Sequence, residues 1–142
     1  MRHLWGIKQR NSIMLHALHR KKITYKMPKK SNKELWLNRL DNIIEKNKIN
    51  GDLNNERLAK EMEMSQRHFI RKATELTGLS PQKYLRAYRL RKAMSYLRNG
   101  KYKTVKETGY AVGYINISYF INQFDRKFNK RPLQVLKEHG WR

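Results

Sequence analysis

The 142-residue sequence contains no cysteine, which excludes a disulfide framework, a thiol nucleophile and every thiolate metal site. Long apolar runs are missing as well. The longest, such as Ile13 to Leu15, are a few residues, far short of the ~20 needed to cross a bilayer, so no membrane partner is expected. Acidic residues are scarce: 11 Asp plus Glu stand against 33 Lys plus Arg, and none of the acids precedes Glu34. The apolar share is 39%, below the ~45–50% of a typical globular domain. A single core can form only if part of the chain stays outside it.

What is present is positive charge, +22 at pH 7 with a pI near 10.5. Such a balance points to a polyanionic partner, with nucleic acid favoured over membrane headgroups or acidic proteins. Residues 1–33 carry ten bases and no acid, and the remainder is basic in its own right, with 23 bases and 11 acids. Residues 1–30 read as a basic arm, disordered or nonspecific. Their apolar residues (Leu4, Trp5, Ile7, Ile13, Met14, Leu15, Leu18) also fit an amphipathic helix, and a targeting peptide is a third reading. His16 interrupts the apolar stretch that a secretory signal would need. His16 and His19 have helical i, i+3 spacing but no third ligand, so they read as a surface pair and no metal is expected. The lack of cysteine fits a reducing compartment, and a cytoplasmic location is expected.

From Ser31 onward apolar residues recur at three- and four-residue steps, with caps and breakers between them, and the domain is placed at 31–142. Leu37, Leu40, Ile43 and Ile44 form one helical stripe, closed by Asn47, Asn50 and Gly51. Asn54 caps a short helix with Leu58, Ala59 and Met62, and after a break at Glu63 and Met64, Ser65 caps a helix to Thr77, stopped by Gly78. Ser80 followed by Pro81 opens a long helix to about Arg98, ended by Asn99 and Gly100. Thr104 and Glu107 have capping-box spacing before a short helix through Ala111 and Val112. A helix from about Asn116 to Phe128 and another after Pro132 complete the chain. No alternating strand pattern occurs, so the fold class is all-α.

Two units of short helix, tight turn and longer helix, 54–77 and 104–128, are joined by the helix 81–98. This is a duplicated helix-turn-helix. Projection at about 100° per residue places Phe69, Ala73 and Leu76 on one side of the first longer helix, with Arg67, His68, Arg71 and Glu75 opposite. In the second, Ile117, Phe120, Phe124 and Phe128 oppose Ser118, Tyr119, Asn122 and Arg126. Laying Phe69 on Phe120 superposes the polar faces as well. A recognition helix needs donors and acceptors of this kind near its N-terminal half, where it meets base edges in the major groove. Arg67, Arg71, Ser118 and Asn122 are the candidate base-contacting residues, with Gln66, His68, Ile117, Tyr119 and Arg126 secondary. Arginine's fork matches guanine and asparagine's amide matches adenine, so a G-containing element and an A·T-rich element are expected.

Residues 34–138 resemble the DNA-binding domain of the AraC/XylS family of transcription regulators. The resemblance is carried by Leu58-Ala59, Ser65 with Phe69, Thr77-Gly78-Leu79-Ser80-Pro81, Tyr84-Leu85, Arg89-Leu90 with Ala93 and Leu97, and then Tyr110-Ala111-Val112-Gly113-Tyr114, Ser118-Tyr119-Phe120, Phe124, Phe128 and Pro132. The Leu-Thr-Gly-Leu-Ser-Pro segment is also similar to the C-terminal domain of hybrid sensor-regulators of that family. Ala73 stands where a core Phe is usual, Thr108-Gly109 where Ile-Ala is usual, Asp125 where a base is usual and Asn129 where Gly is usual. Ala73 and Thr108-Gly109 are expected to weaken the core, the glycine by ~1 kcal/mol of helix propensity. Asp125 counts against a phosphate contact, and Asn129 is tolerated because Asn adopts the left-handed conformation.

The resemblance implies a sequence-specific double-stranded DNA-binding regulator that inserts two recognition helices into successive major grooves. A linker of 18 residues is ~27 Å long, suited to two helices about one DNA turn, ~34 Å, apart. A monomer on DNA, RNA polymerase as a further partner and an activator role are expectations, with the choice between activation and repression left open. Arg86, Arg91, Lys92, Lys101 and Lys103 either meet phosphates or only solubilise the chain. The alternative is a basic RNA-binding or ribosome-associated protein, which would favour exposed aromatic platforms, whereas most aromatics here fall on core faces and Tyr119 is the exception. An enzyme is not expected: Glu61 and Glu63 diverge on a helix, no other carboxylates cluster, and no cofactor is implied. Family members often carry a sensory domain on the N-terminal side. This chain is read either as a lone DNA-binding domain or as the remnant of a longer regulator.

Overall fold

Capping side chains set where the helices begin. Asn54, Ser65, Ser80, Thr104 and Asn116 each accept a hydrogen bond from the backbone N–H three residues on, satisfying a donor that the first turn leaves orphaned. Left-handed residues end three of them: Gly78 at φ 74°, Gly100 at φ 63° and Asn129 at φ 53°. The result, in a computed structural model that describes residues 29–48 and 53–140, is seven helices and no strand among those residues. They are α1 (Asn32–Lys46), α2 (Asn55–Glu61), α3 (Gln66–Thr77), α4 (Pro81–Asn99), α5 (Val105–Ala111), α6 (Ile117–Phe128) and α7 (Pro132–Glu138). The basic arm up to residue 28, with His16 and His19, lies outside the described residues. So does the helix stop expected at Asn50 and Gly51.

Two cores form, and α4 belongs to both. Leu85 packs with Leu40, Ile44, Leu53, Leu58, Ala59, Met62 and Phe69, while Leu90, Ala93, Met94, Tyr96 and Leu97 pack with Val112, Tyr114, Phe120, Phe124, Val135 and Leu136. α4 thus supplies apolar residues to both cores and links the two units. Phe120 and Phe124 are fully buried and stack edge to face, 5.9 Å between centroids.

A polar attachment joins the α1 region to α4. Tyr84, Tyr88, Lys92 and Tyr96 recur every fourth residue and so share one face of α4. Tyr84 Oη donates to Asp41 Oδ1 at 2.6 Å, Tyr88 Oη to Glu45 Oε2 at 2.5 Å, and Lys48 Nζ to Tyr96 Oη at 2.7 Å and Glu45 Oε1 at 2.8 Å. Lys92 Nζ pairs with Glu45 at 3.5 Å, Arg91 lies over the Tyr88 ring at 6.0 Å, and Lys101 lies over the Tyr96 ring at 4.7 Å. Lys92 is therefore partly engaged within the protein, whereas Arg91 and Lys101 rest on tyrosine rings and remain exposed. Partial burial pushes the Glu45 carboxyl up, but hydrogen bonds from Lys48 and Tyr88 and the charges of Lys48 and Lys92 outweigh it and hold it at about 2.

The departures from family pattern are also accommodated. Thr108 is fully buried with its hydroxyl donating to Thr104 O at 3.0 Å, so no polar atom is stranded there. Ala73 is fully buried, and Trp36 of α1 packs on the neighbouring Phe69 at 6.0 Å between centroids.

Candidate nucleic-acid interface

The turns that set α2 against α3 and α5 against α6 close in the same way. Met64 N–H donates to Ala59 O and Tyr114 N–H to Gly109 O, each at 2.9 Å, while Glu63 and Gly113 occupy the left-handed region between them. Beyond that point the second turn has one more residue, Ile115, which is 77% exposed. Each turn then delivers a cap, Ser65 or Asn116, whose side chain accepts from His68 N–H at 3.2 Å or Tyr119 N–H at 3.0 Å. The first turn of α3 and of α6 is held by these bonds, and both helices offer an exposed N-terminal half.

On α3, Gln66, Arg67, His68 and Arg71 are exposed, and on α6 so are Ser118, Tyr119, Asn122 and Arg126. Phe69 and Phe120, the residues that align the two helices, are both fully buried, so the polar faces point away from equivalent cores. Arg71 Nη2 lies 3.3 Å from His68 Nδ1, which braces one arginine on the face of α3. Ile117 differs from the other candidates. It is half-buried, and its Cδ1 would lie 2.8 Å from a Cβ at position 109. Its terminal methyl therefore faces α5 and not a groove.

That contact also changes the meaning of Gly109. A Cβ there would stand 2.9 Å from the Phe120 ring, tighter than packed atoms allow, so the glycine permits a close crossing of α5 and α6 in addition to lowering helix propensity. Exposed Ile115 and the bases Lys83 and Lys127 were not singled out from sequence. Loop position and a helix face hidden in the linker pattern gave no signal for them. Among the described residues no group of three or more His, Asp or Glu could hold a metal ion, and no helix is long and apolar enough to cross a membrane.

A profile of the helix-turn-helix domain family matches residues 58–138, which takes in the first helix-turn-helix unit from Leu58 onward, the linker and the whole of the second unit. The chain belongs to the AraC/XylS family of helix-turn-helix regulators. It is similar to the HTH-type transcriptional activator RhaS of Escherichia coli strain SE11, 32% identical over 84 residues that make up 59% of this chain and 30% of that protein. The chain thus spans less than a third of the length of the curated relatives it matches. In fold it is similar to an AraC-type DNA-binding-domain regulator from Chromobacterium violaceum, with TM-score 0.68 and 22% identity over 78% of this chain and 96% of that one. It is also similar to the DNA-binding domain of AdpA, solved in complex with a target DNA, with TM-score 0.64 and 23% identity over 72% and 91%.

Proposed function

We propose that this AraC/XylS-family chain is a sequence-specific double-stranded DNA-binding transcription regulator, and that one chain reads two successive major grooves with α3 and α6. The observation that carries the reading is the pair of exposed polar faces, Gln66 to Arg71 and Ser118 to Arg126, standing at equivalent places over buried Phe69 and Phe120. A helix α4 of 19 residues, ~28 Å long, sits between them. Arg67 and Arg71 are assigned to guanine, Asn122 to adenine and Ser118 to a neighbouring base, with Gln66, His68, Tyr119 and Arg126 at the edges. The chain binds as a monomer, since its own duplication supplies two helices, and its further partner is RNA polymerase in the cytoplasm. The domains are the basic arm 1–30 and the DNA-binding domain 31–142.

The RNA-binding alternative has little to stand on. Stacking platforms need free rings; Tyr96 and Tyr114 are buried, Tyr84 and Tyr88 are half-buried against α1, and Tyr110 and Tyr119 are the exposed tyrosines among the large apolar side chains. Selection from a random duplex library tests the proposal. Enrichment of a G-containing element and an A·T-rich element about one turn apart is expected, and matched RNA should compete poorly. Recovery of no enriched duplex sequence, or equal competition by RNA, would remove the reading.

A further inference from the structure

Two crevices flank α4 on the side where it meets α6. One, of about 240 Å³, is lined by Arg86 and Arg89 of α4 and by Tyr114, Asn116 and Tyr119. The other, of about 310 Å³, is lined by Leu79 just past α3, by Lys83 and Arg86, and by Gln123, Arg126 and Lys127 of α6. Arg86 is exposed and borders both. The two crevices hold five cations (Lys83, Arg86, Arg89, Arg126, Lys127) and no carboxylate, although acids are available elsewhere on the same helix packing, where α1 supplies Asp41 and Glu45 to the opposite stretch of α4. Tyr114 is 9% exposed, and its hydroxyl is buried with no hydrogen-bond partner. A donor left unmatched beneath two arginines is a cost in the free protein that an anion can relieve.

We infer that this basic saddle between the recognition helices is a phosphodiester site, which seats the DNA backbone that runs between the two elements. The inference rests on the DNA-binding reading but adds a backbone contact centred on Arg86 of α4, apart from the base contacts assigned to α3 and α6. Arg86 supplies the charge at the rim of both crevices. Arg89 and Tyr114 line the first crevice with it, Tyr114 nearly buried. Phosphate contacts fix register and orientation without reading bases. The saddle therefore sets the spacing of the two elements while leaving their sequences to α3 and α6. Lys92 and Lys101, engaged on the other side of α4, play no part in it.

The test uses the full chain and duplexes in which the phosphates between the two elements are replaced by neutral methylphosphonates. Wild type should lose about tenfold in affinity for the modified duplex, the scale of one hydrogen bond to a charged group. Arg86→Ala should lose a similar factor on the unmodified duplex and little more on the modified one. Its salt slope should be shallower by about 0.9, with the selected bases unchanged. Tyr114→Phe should leave the melting temperature of the free protein unchanged or higher, because it deletes an unpartnered hydroxyl, yet weaken binding to the unmodified duplex. Indifference of wild type to the central methylphosphonates would overturn the site, as would equal sensitivity in wild type and Arg86→Ala. Arg86-dependent release of DNA by inorganic phosphate at constant ionic strength would overturn it in favour of a free anion ligand. If selection enriches no sequence while the central methylphosphonate effect persists on any duplex, base reading has failed and the saddle has not.

Discussion

Gly113 sits in the turn of the second helix-turn-helix at φ 96°, and a Cβ built on it would lie 2.3 Å from the backbone oxygen of Lys48 and 3.1 Å from the Arg89 guanidinium. The carbonyl belongs to the end of the α1 region, so this is where the N-terminal part of the domain touches the second reading unit. Gly113→Ala meets two separate penalties. The left-handed conformation costs an L-residue ~1–2 kcal/mol, and forcing backbone apart in a packed interior costs a further ~1–3 kcal/mol. Gly78→Ala isolates the first, because Gly78 has φ 74° with nothing within 4 Å of its would-be Cβ. Urea unfolding of both variants should show Gly113→Ala losing about 2–5 kcal/mol and Gly78→Ala about 1–2 kcal/mol. In thermal melts of a domain this size the first corresponds to roughly 10–20 °C. If Gly113→Ala is no less stable than Gly78→Ala, the close approach of Lys48 does not constrain the turn and the argument fails.

The Glu45 cluster sets a pH window. Its carboxyl is lowered from 4.5 to about 2, so its contribution is present above 4.5 and lost as pH falls through about 2, and Glu45→Gln should flatten that limb of a stability profile. On the alkaline side Tyr84 is raised from 10.0 and Lys48 from 10.5, each to about 12; burial and the Asp41 bond lift the phenol, and the Glu45 bond lifts the amine. Stability they provide should be intact below about 10 and decline through about 12, a decline that Tyr84→Phe should reduce. For Gly109→Ala, a propensity gain of ~1 kcal/mol opposes overpacking of ~1–3 kcal/mol against Ile117 and Phe120. Equilibrium unfolding should show no gain and up to about 2 kcal/mol of loss, partly recovered by adding Ile117→Val. A full gain would mean that α5 and α6 have room to spare.

Helix boundaries were legible because each is written in a local residue with a single physical use: a side-chain oxygen at Asn54, Ser65, Ser80 and Thr104, and a left-handed residue at Gly78, Gly100 and Asn129. The duplicated polar faces were legible because a period of 3.6 relates them to Phe69 and Phe120. The attachment of α1 was not. Tyr84, Tyr88, Lys92 and Tyr96 form a stripe whose partners Asp41, Glu45 and Lys48 lie more than forty residues away, and a stripe of mixed polar residues has no direction until its partner is placed. The same gap hid the pairing of Lys92 with Glu45. Gly109 misled in another way: propensity counts a glycine as a loss, whereas its fit against Ile117 and Phe120 depends on a helix crossing that no local pattern states.

Binding by wild type, Arg71→Ala and Asn122→Ala to a duplex series in which each position of the two selected elements is varied in turn tests the central claim most directly. Two helices reading two grooves predict that Arg71→Ala relaxes preference in the G-containing element by ~1–3 kcal/mol and leaves the other element intact, and that Asn122→Ala does the converse. Uniform weakening on every duplex by both substitutions would contradict it, because side chains that act alike on all sequences are gripping phosphates and not reading bases.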